Sequence, residues 1–351
     1  MRKKQLLIVD DSAFMRKLIT DFFTGHPEIE VAGTAKNGRE AIRKTTEIQP
    51  DIITMDVEMP VMDGVQAVRE IMASCPVPIV MLSSTTTAGA EQTVAAMEAG
   101  AADFVAKPGG SISLDLHLIR DELAQKLLLA SRISLKKERY RSVRKPASLR
   151  TGDRNRTGLI LIGASTGGPR ALQEVISHLP ADLPYPVCVV QHMPPKFTKS
   201  LAERLNSLSG LTVKEAENGE LIKRGCVYIA PGGTQMRIFR SAADCVLSVA
   251  EEPAIPGVLR PSVDVLFESV AETAESPVTA VILTGMGADG TEGLGKLKNT
   301  GADVHVIAEA EETCIVYGMP KAAAESGRVD EVVPLEEIAH AIVNSLIKRG
   351  A

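Results

Sequence analysis

The run Leu6-Leu7-Ile8-Val9-Asp10-Asp11 decides how the first third of this chain is read. Four aliphatic residues in succession suit a short, fully buried strand, and the paired aspartates end it. The same form returns twice. Asp56 closes Asp51-Ile52-Ile53-Thr54-Met55, and Lys107-Pro108 follows Ala102-Asp103-Phe104-Val105-Ala106. Each polar group stands at the end of a strand, where open parallel sheets place their ligand crevice. Outward from these points, strands are expected over 5–10, 29–35, 51–56, 78–84 and 102–106. Helical patterns lie between them, such as Phe14, Leu18 and Phe22 at i, i+4 and i+8. This five-fold βα alternation implies a parallel sheet with helices on both faces. A last helix is expected over 114–135, with Leu123, Leu127 and Leu128 as its apolar stripe.

The length of 351 residues suggests two domains, at roughly 150 residues each. A hydrophobic content of 44% is enough for two cores, and 3% aromatic residues with no Trp points to aliphatic packing. No apolar run approaches the ~18 residues of a membrane span. The basic start Met1-Arg2-Lys3-Lys4 runs into two aspartates too soon to be a signal peptide. Cysteines 75, 188, 226, 245 and 314 are odd in number and form no CxxC pair, which favours reduced thiols in the cytoplasm. The net charge of −5 hides a basic segment: residues 136–156 hold nine Lys/Arg and two acids, a local +7, leaving −12 for the rest. That remainder is a poor nucleic-acid binder. Because 136–157 also loses periodicity and contains Pro146 and Gly152, it reads as a solvated linker. The expected division is 1–125, a helix extension and basic linker over 126–157, and a second domain over 158–351.

Alternation resumes with strands expected over 158–163, 186–190, 227–230, 279–283 and 304–308. The runs 236–240 and 245–249 flank 241–244 as a β-hairpin. The second domain is therefore expected to be a mainly parallel, doubly wound α/β fold with an antiparallel addition.

Asp10, Asp11 and Asp56 converging at one sheet edge would repel each other unless a divalent cation neutralised them. Mg²⁺ suits the task, since it takes one or two carboxylates, waters and phosphate oxygens. A carboxylate can itself be the nucleophile, giving an aspartyl phosphate, and Lys107 offers a point charge to the incoming group. Ser83, ending the fourth strand, is placed to bond a phosphoryl oxygen, and Phe104 to pack differently in two states. With Met59-Pro60, Asp63-Gly64 and Lys107-Pro108, these residues make the segment 4–125 resemble the receiver domain of two-component response regulators. The resemblance implies phosphorylation of Asp56 by a histidine kinase. It also implies Mg²⁺ on Asp11, Asp56 and the Glu58 carbonyl, with Asp10 in support through water.

In the second domain, Gly163-Ala164-Ser165-Thr166-Gly167-Gly168 joins a strand to a helix opened by Pro169. Gly163-x-Ser165-x-Gly167 matches the nucleophile-elbow pattern, in which a tight turn exposes the hydroxyl. At ~7% each for Gly and Ser, about one chain in eight of this length carries it by chance, so its placement matters more than its letters. A phosphate cradle is the rival reading. A dinucleotide fold would place an acidic residue about 20 residues on, but the next strand ends in Gln191-His192. An imidazole there can serve the serine as general base. The third member should be a carboxylate near a strand end: Asp289, in Thr284-Gly285-Met286-Gly287-Ala288-Asp289-Gly290, fits best, with Asp264 as runner-up. Backbone N–H groups near Met286 are placed to line an oxyanion hole. The chain order Ser–His–Asp is not that of ordinary α/β-hydrolases.

A receiver followed by these motifs, together with Gln191-His192-Met193, Ala230-Pro231-Gly232-Gly233 and Arg260-Pro261-Ser262-Val263-Asp264, resembles the chemotaxis response regulator protein-glutamate methylesterase family over nearly the whole chain. The resemblance implies a phosphorylation-activated serine hydrolase that demethylates glutamate methyl esters, and deamidates glutamines, on the cytoplasmic domains of methyl-accepting chemoreceptors. It implies a chemotaxis histidine kinase as phosphoryl donor and no cofactor for ester hydrolysis. A cytoplasmic monomer is expected, with neither nucleic acid nor membrane insertion. The alternative, a transcriptional response regulator, would need a compact basic DNA-binding output. The acidic βα output of about 195 residues does not supply one.

Overall fold

The computed structural model describes residues 2–107, 116–133, 158–241, 244–253, 255, 257–273 and 277–348. It divides into two units, Met1–Arg139 and Tyr140–Ala351. The linker expected over 136–157 lies outside the described residues, as does Pro108. Among the described residues no helix is long and apolar enough to cross a membrane.

In the first unit the strands are β1 (Lys4–Val9), β2 (Ile29–Ala35), β3 (Ile52–Asp56), β4 (Ile79–Ser83) and β5 (Asp103–Ala106). Helices α1 (Ala13–Phe23), α2 (Gly38–Ile48), α3 (Gly64–Ser74), α4 (Thr87–Glu98) and α5 (Leu116–Ala130) alternate with them. All strand pairs are parallel, in the order β2-β1-β3-β4-β5. The chain reverses its winding between β1 and β3, so the crevice between their carboxyl ends is the expected ligand position. Helix starts follow local chemistry: the side chains of Ser12, Asn37, Asp63 and Thr86 each accept a backbone N–H from the first turn of α1, α2, α3 and α4. Leu6 and Ile8 of β1 pack with Ile19, Phe23, Leu123 and Leu127 on one face of the sheet. Each such fully buried side chain contributes about 1.5–3 kcal/mol.

The second unit contains β6 (Leu159–Ala164), α6 (Gly168–His178), β7 (Val187–Gln191), α7 (Phe197–Leu208), β8 (Thr212–Glu215) and β9 (Cys226–Ile229). The hairpin β10 (Gln235–Ser241) and β11 (Asp244–Ala250) follows, then α8 (Val263–Ala271), β12 (Val278–Ile282) and α9 (Thr291–Lys298). The chain ends with β13 (Val304–Glu309), α10 (Met319–Glu325), β14 (Glu331–Val333) and α11 (Leu335–Lys348). Seven strands form one parallel sheet in the order β14-β13-β12-β6-β7-β9-β8. Winding reverses at β6, which lies between β7 and β12. The carboxyl ends of these three strands therefore surround the switch point, where α/β sheets bind ligands.

The hairpin has its own part in placing the site. Met236 and Ile238 of β10 and Leu247 of β11 share one buried cluster with Leu266 and Phe267 of α8. The Ile238 N–H donates to Ser269 Oγ at 3.0 Å. Packing and hydrogen bond together hold α8 so that its first turn points at the switch point.

Candidate functional site

In the first unit, Asp10, Asp11 and Asp56 come together as expected, each offering an oxygen within 4.8 Å of the others. Lys107 Nζ lies 2.9 Å from Asp10 Oδ2 and 2.8 Å from Asp56 Oδ2. Asp11, Asp56 and Lys107 line an open cavity of about 510 Å³ with Glu58, Met59, Pro60 and Ser84, while Asp10 is fully buried behind it. Burial pushes the Asp56 carboxyl up to about 6, and the Asp10 charge adds to this. The hydrogen bond and charge of Lys107, with the Glu58 N–H, act in the opposite direction. Three carboxylates facing one ammonium are short of positive charge, and a hard divalent cation with oxygen preference suits that donor set.

Ser83 is fully buried at the end of β4, and its hydroxyl donates to the Gly89 carbonyl at 3.0 Å. It is the neighbouring Ser84 that lines the cavity. Phe104 is buried, with Lys126 Nζ 5.3 Å from its ring centroid.

In the second unit the structure gathers Ser165, His192 and Asp289 at the switch point, each just past β6, β7 and β12. Register explains why. Ala164 pairs with Gln191 and Gly163 with Ile282. The His192 N–H donates to Ala164 C=O at 3.1 Å, and the Ser165 N–H to Thr284 C=O at 3.0 Å. Gln191 adds a side-chain tie, its Nε2 donating to Ser165 C=O at 2.9 Å. The turn after Ser165 needs glycine twice. Gly167 has φ 78°, in the left-handed region, and any Cβ on Gly168 would overlap the Gln191 amide.

His192 Nε2 lies 2.7 Å from Asp289 Oδ2, with only 10% and 15% of the two side chains exposed. The other nitrogen, Nδ1, is buried and has no hydrogen-bond partner among the described residues. The Asp289 carboxylate caps α8 from another part of the chain. It accepts from Val263 N–H at 2.7 Å, Asp264 N–H at 2.9 Å and Ser262 Oγ at 2.8 Å. Helix N-termini favour negative charge, by up to ~2 kcal/mol when partly buried. Burial alone would raise Asp289. The His192 hydrogen bond and charge, with the two N–H groups of α8, outweigh it and hold this carboxyl below the ordinary range. Asp264 shifts the other way, raised by burial and by the Asp289 charge. Its oxygen accepts the Gly293 N–H at 2.7 Å. The two aspartates are thus a divided pair, and Asp289 is the one that meets the imidazole.

Met286 is partly exposed in the loop after β12. Neither its N–H nor that of Thr166 makes a hydrogen bond among the described residues. Thr166 escaped the sequence reading, although the residue after an elbow serine is a general source of such a donor. Ser262 escaped it too; its signal was a Ser directly before an apolar helical run.

An acidic cluster met by a lysine at one parallel sheet edge and a serine turn at a second sheet's switch point together describe a response regulator with a hydrolase output. Residues 6–118 match the response regulator receiver domain model and residues 160–342 the CheB methylesterase model. The chain is 51% identical to the protein-glutamate methylesterase/protein-glutamine glutaminase of Geobacillus kaustophilus, covering 98% of this chain and 99% of that one. It is 47% identical to the protein of the same name from Bacillus subtilis, covering 98% and 99%. The crystal structure of the Thermotoga maritima CheB methylesterase catalytic domain matches with TM-score 0.51 and 47% identity, over 54% of this chain and 98% of that one. The chain belongs to the CheB methylesterase family, with an N-terminal receiver domain. A methylesterase output takes the place that a DNA-binding output would occupy in a transcriptional regulator.

Proposed function

We propose that this chain is a phosphorylation-activated protein-glutamate methylesterase and protein-glutamine glutaminase, with Ser165 as nucleophile, His192 as base and Asp289 as the group that orients it. The observation that carries this reading is the His192–Asp289 hydrogen bond beside the Ser165 turn. Asp289 holds the proton on Nε2, so Nδ1 presents a lone pair. As Ser165 Oγ attacks the γ-carbonyl carbon, its proton passes to Nδ1. The oxyanion would form against the N–H groups of Met286 and Thr166, which make no other hydrogen bond among the described residues. Collapse breaks the ester bond, and methanol leaves with the proton from Nδ1. Water then attacks the glutamyl–serine ester, gives its proton to Nδ1 and frees a glutamate carboxylate, while Ser165 recovers its hydrogen. With glutamine, ammonia leaves in place of methanol. No cofactor takes part in these steps.

In the receiver, Asp56 accepts the phosphoryl group from a chemotaxis histidine kinase. Asp11, Asp56 and the Glu58 carbonyl would hold Mg²⁺, with Asp10 in support. The ion would supply charge neutralisation at the acceptor. Lys107 holds Asp56 in place until then. Ser83 would leave Gly89 for the phosphoryl oxygen, and Phe104 would repack. The substrates are methyl-accepting chemoreceptors, met by a cytoplasmic monomer without membrane insertion or nucleic acid. Domains 1–125 and 158–351, with the segment 126–157 between them, divide the two tasks. Methanol release from methylated receptor fragments, with and without a phosphoryl donor, tests the reading. No release under either condition would refute it.

A further inference from the structure

Glu309 closes β13, is fully buried, and has no part in the steps above. A carboxyl is costly to bury and is retained where its oxygens are satisfied. Thr284 N–H donates to Oε2 at 2.8 Å, and Thr313 Oγ1 donates to Oε1 at 3.1 Å. Thr284 is itself a junction. Its carbonyl accepts the Ser165 N–H at 3.0 Å, and its hydroxyl donates to Thr166 C=O at 3.0 Å. The same hydroxyl accepts the Val316 N–H at 3.0 Å. Next in the chain, Gly285 N–H donates to Val316 C=O at 3.0 Å, and Gly285 C=O accepts from Met319 N–H at 2.8 Å. One side chain at the end of β13 thereby anchors the backbone on both sides of Ser165 and the start of the loop bearing Met286.

We propose that Glu309 is a positioning residue for the Ser165 nucleophile and its oxyanion donors, acting through Thr284. This rests on the reading of Ser165 as nucleophile. A carboxyl suits the place because its two oxygens accept donors from separate segments, the end of β12 and the loop after β13. Burial raises this carboxyl to about 7, against the bonds from Thr284, Thr313 and Cys314 and the charge of Arg170. A neutral amide can substitute for it: one oxygen takes the Thr284 N–H, while the NH₂ donates to a Thr313 hydroxyl that also reaches Ala310 C=O at 3.2 Å. A thioether of similar size can do neither. Small displacements of a nucleophile and its oxyanion donors are heavily penalised in rate, while ground-state binding changes little.

The test compares the whole protein with Glu309→Met, Glu309→Gln and Ser165→Ala, reading kcat, KM, labelling by a serine-directed phosphonate, and thermal unfolding. Glu309→Met should lower kcat by about tenfold or more with KM within about twofold, and labelling should slow in parallel. Glu309→Gln should restore kcat to within about threefold of the parent. A Met variant with kcat within about twofold of the parent would overturn the proposal, as would equal losses in Met and Gln. If the Met variant does not fold, Glu309→Asp takes its place: it keeps the carboxyl but is too short to hold both the Thr284 N–H and the Thr313 hydroxyl. A lowered kcat supports the proposal and an unchanged one overturns it. A fully active Ser165→Ala would remove the nucleophile and this inference with it. A dead Ser165→Ala beside an unaffected Glu309→Met would sink this inference alone.

Discussion

His192 meets Asp289 through Nε2, at 2.7 Å from Oδ2, so the ring turns Nδ1 away from the acid. The carboxylate's other contacts are backbone N–H groups of α8 and the Ser262 hydroxyl, all donors. An amide that kept its oxygen on Ser262 and the Asp264 N–H would turn its NH₂ to Nε2, placing the imidazole proton on Nδ1 and leaving the Val263 N–H without an acceptor. Asp289→Asn should therefore lower kcat by about 10³–10⁴ in methanol-release assays while the protein stays folded. A loss below tenfold would mean that another group sets the tautomer.

Asp264 gives the contrasting case. Its backbone N–H serves Asp289, and its carboxyl accepts the Gly293 N–H, a bond that an asparagine oxygen can keep. Asp264→Asn is expected to hold kcat within about tenfold of the parent, far above Asp289→Asn. Equal damage from the two substitutions would show that both aspartates are needed as acids.

Ser165→Ala should leave less than ~1% of ester hydrolysis and abolish phosphonate labelling, since losing a triad nucleophile costs several orders of magnitude. Phosphate uptake by Asp56 should be unchanged. Residual hydrolysis well above that level would indicate another nucleophile.

Glu309 makes stability depend on pH. Its carboxyl is raised from the ordinary 4.5 to about 7, chiefly by burial. Between these values the folded protein keeps a proton that the unfolded chain releases. The stabilisation is thus full below about 4.5 and is lost as pH rises through about 7, on the order of 3 kcal/mol in all. Glu309→Gln cannot titrate there. The unfolding-temperature difference, parent minus variant, should fall as pH rises from 4.5 to 7.5. A constant difference over that range would show that Glu309 ionises alike in both states.

Removal of divalent cations should separate the two sites. Chelation should stop phosphorylation of Asp56 by a small phosphoryl donor, as should Asp56→Asn, while basal ester hydrolysis continues unchanged. Loss of basal hydrolysis on chelation would place a metal in the esterase step.

Most of the fold was legible because its central strands are unbroken aliphatic runs, buried on both faces, which only a covered parallel sheet explains. The strands that escaped, β8 and β14, lie at the sheet edges. They are four and three residues long and partly exposed, too short for any period to register. Ser165, His192 and Asp289 could be read because each closes or follows a strand. Glu309 also closes a strand, the same signal that singled out Asp56, but it had no motif around it. The choice of His192 nitrogen and the hold of Ser83 on Gly89 were not legible, since both depend on side-chain rotation. The linker's basic charge could be counted, but its form lies outside the described residues.

The contacts that complete the proposed esterase site join distant parts of the chain: His192 and Asp289 are 97 residues apart, and Thr284 and Thr166 are 118 apart. Such long closures must be made before their bonds repay the lost chain entropy, so they form late in folding. Synthesis imposes the same order. A nascent chain that carries Ser165 and His192 still lacks Asp289, and one that has reached Asp289 lacks the Glu309–Met319 segment behind it. Esterase activity should therefore first appear only when nearly the whole polypeptide has emerged. The receiver, whose acceptor residues all lie before residue 108, can be finished long before. During its own manufacture the molecule is able to receive a signal before it is able to act on one.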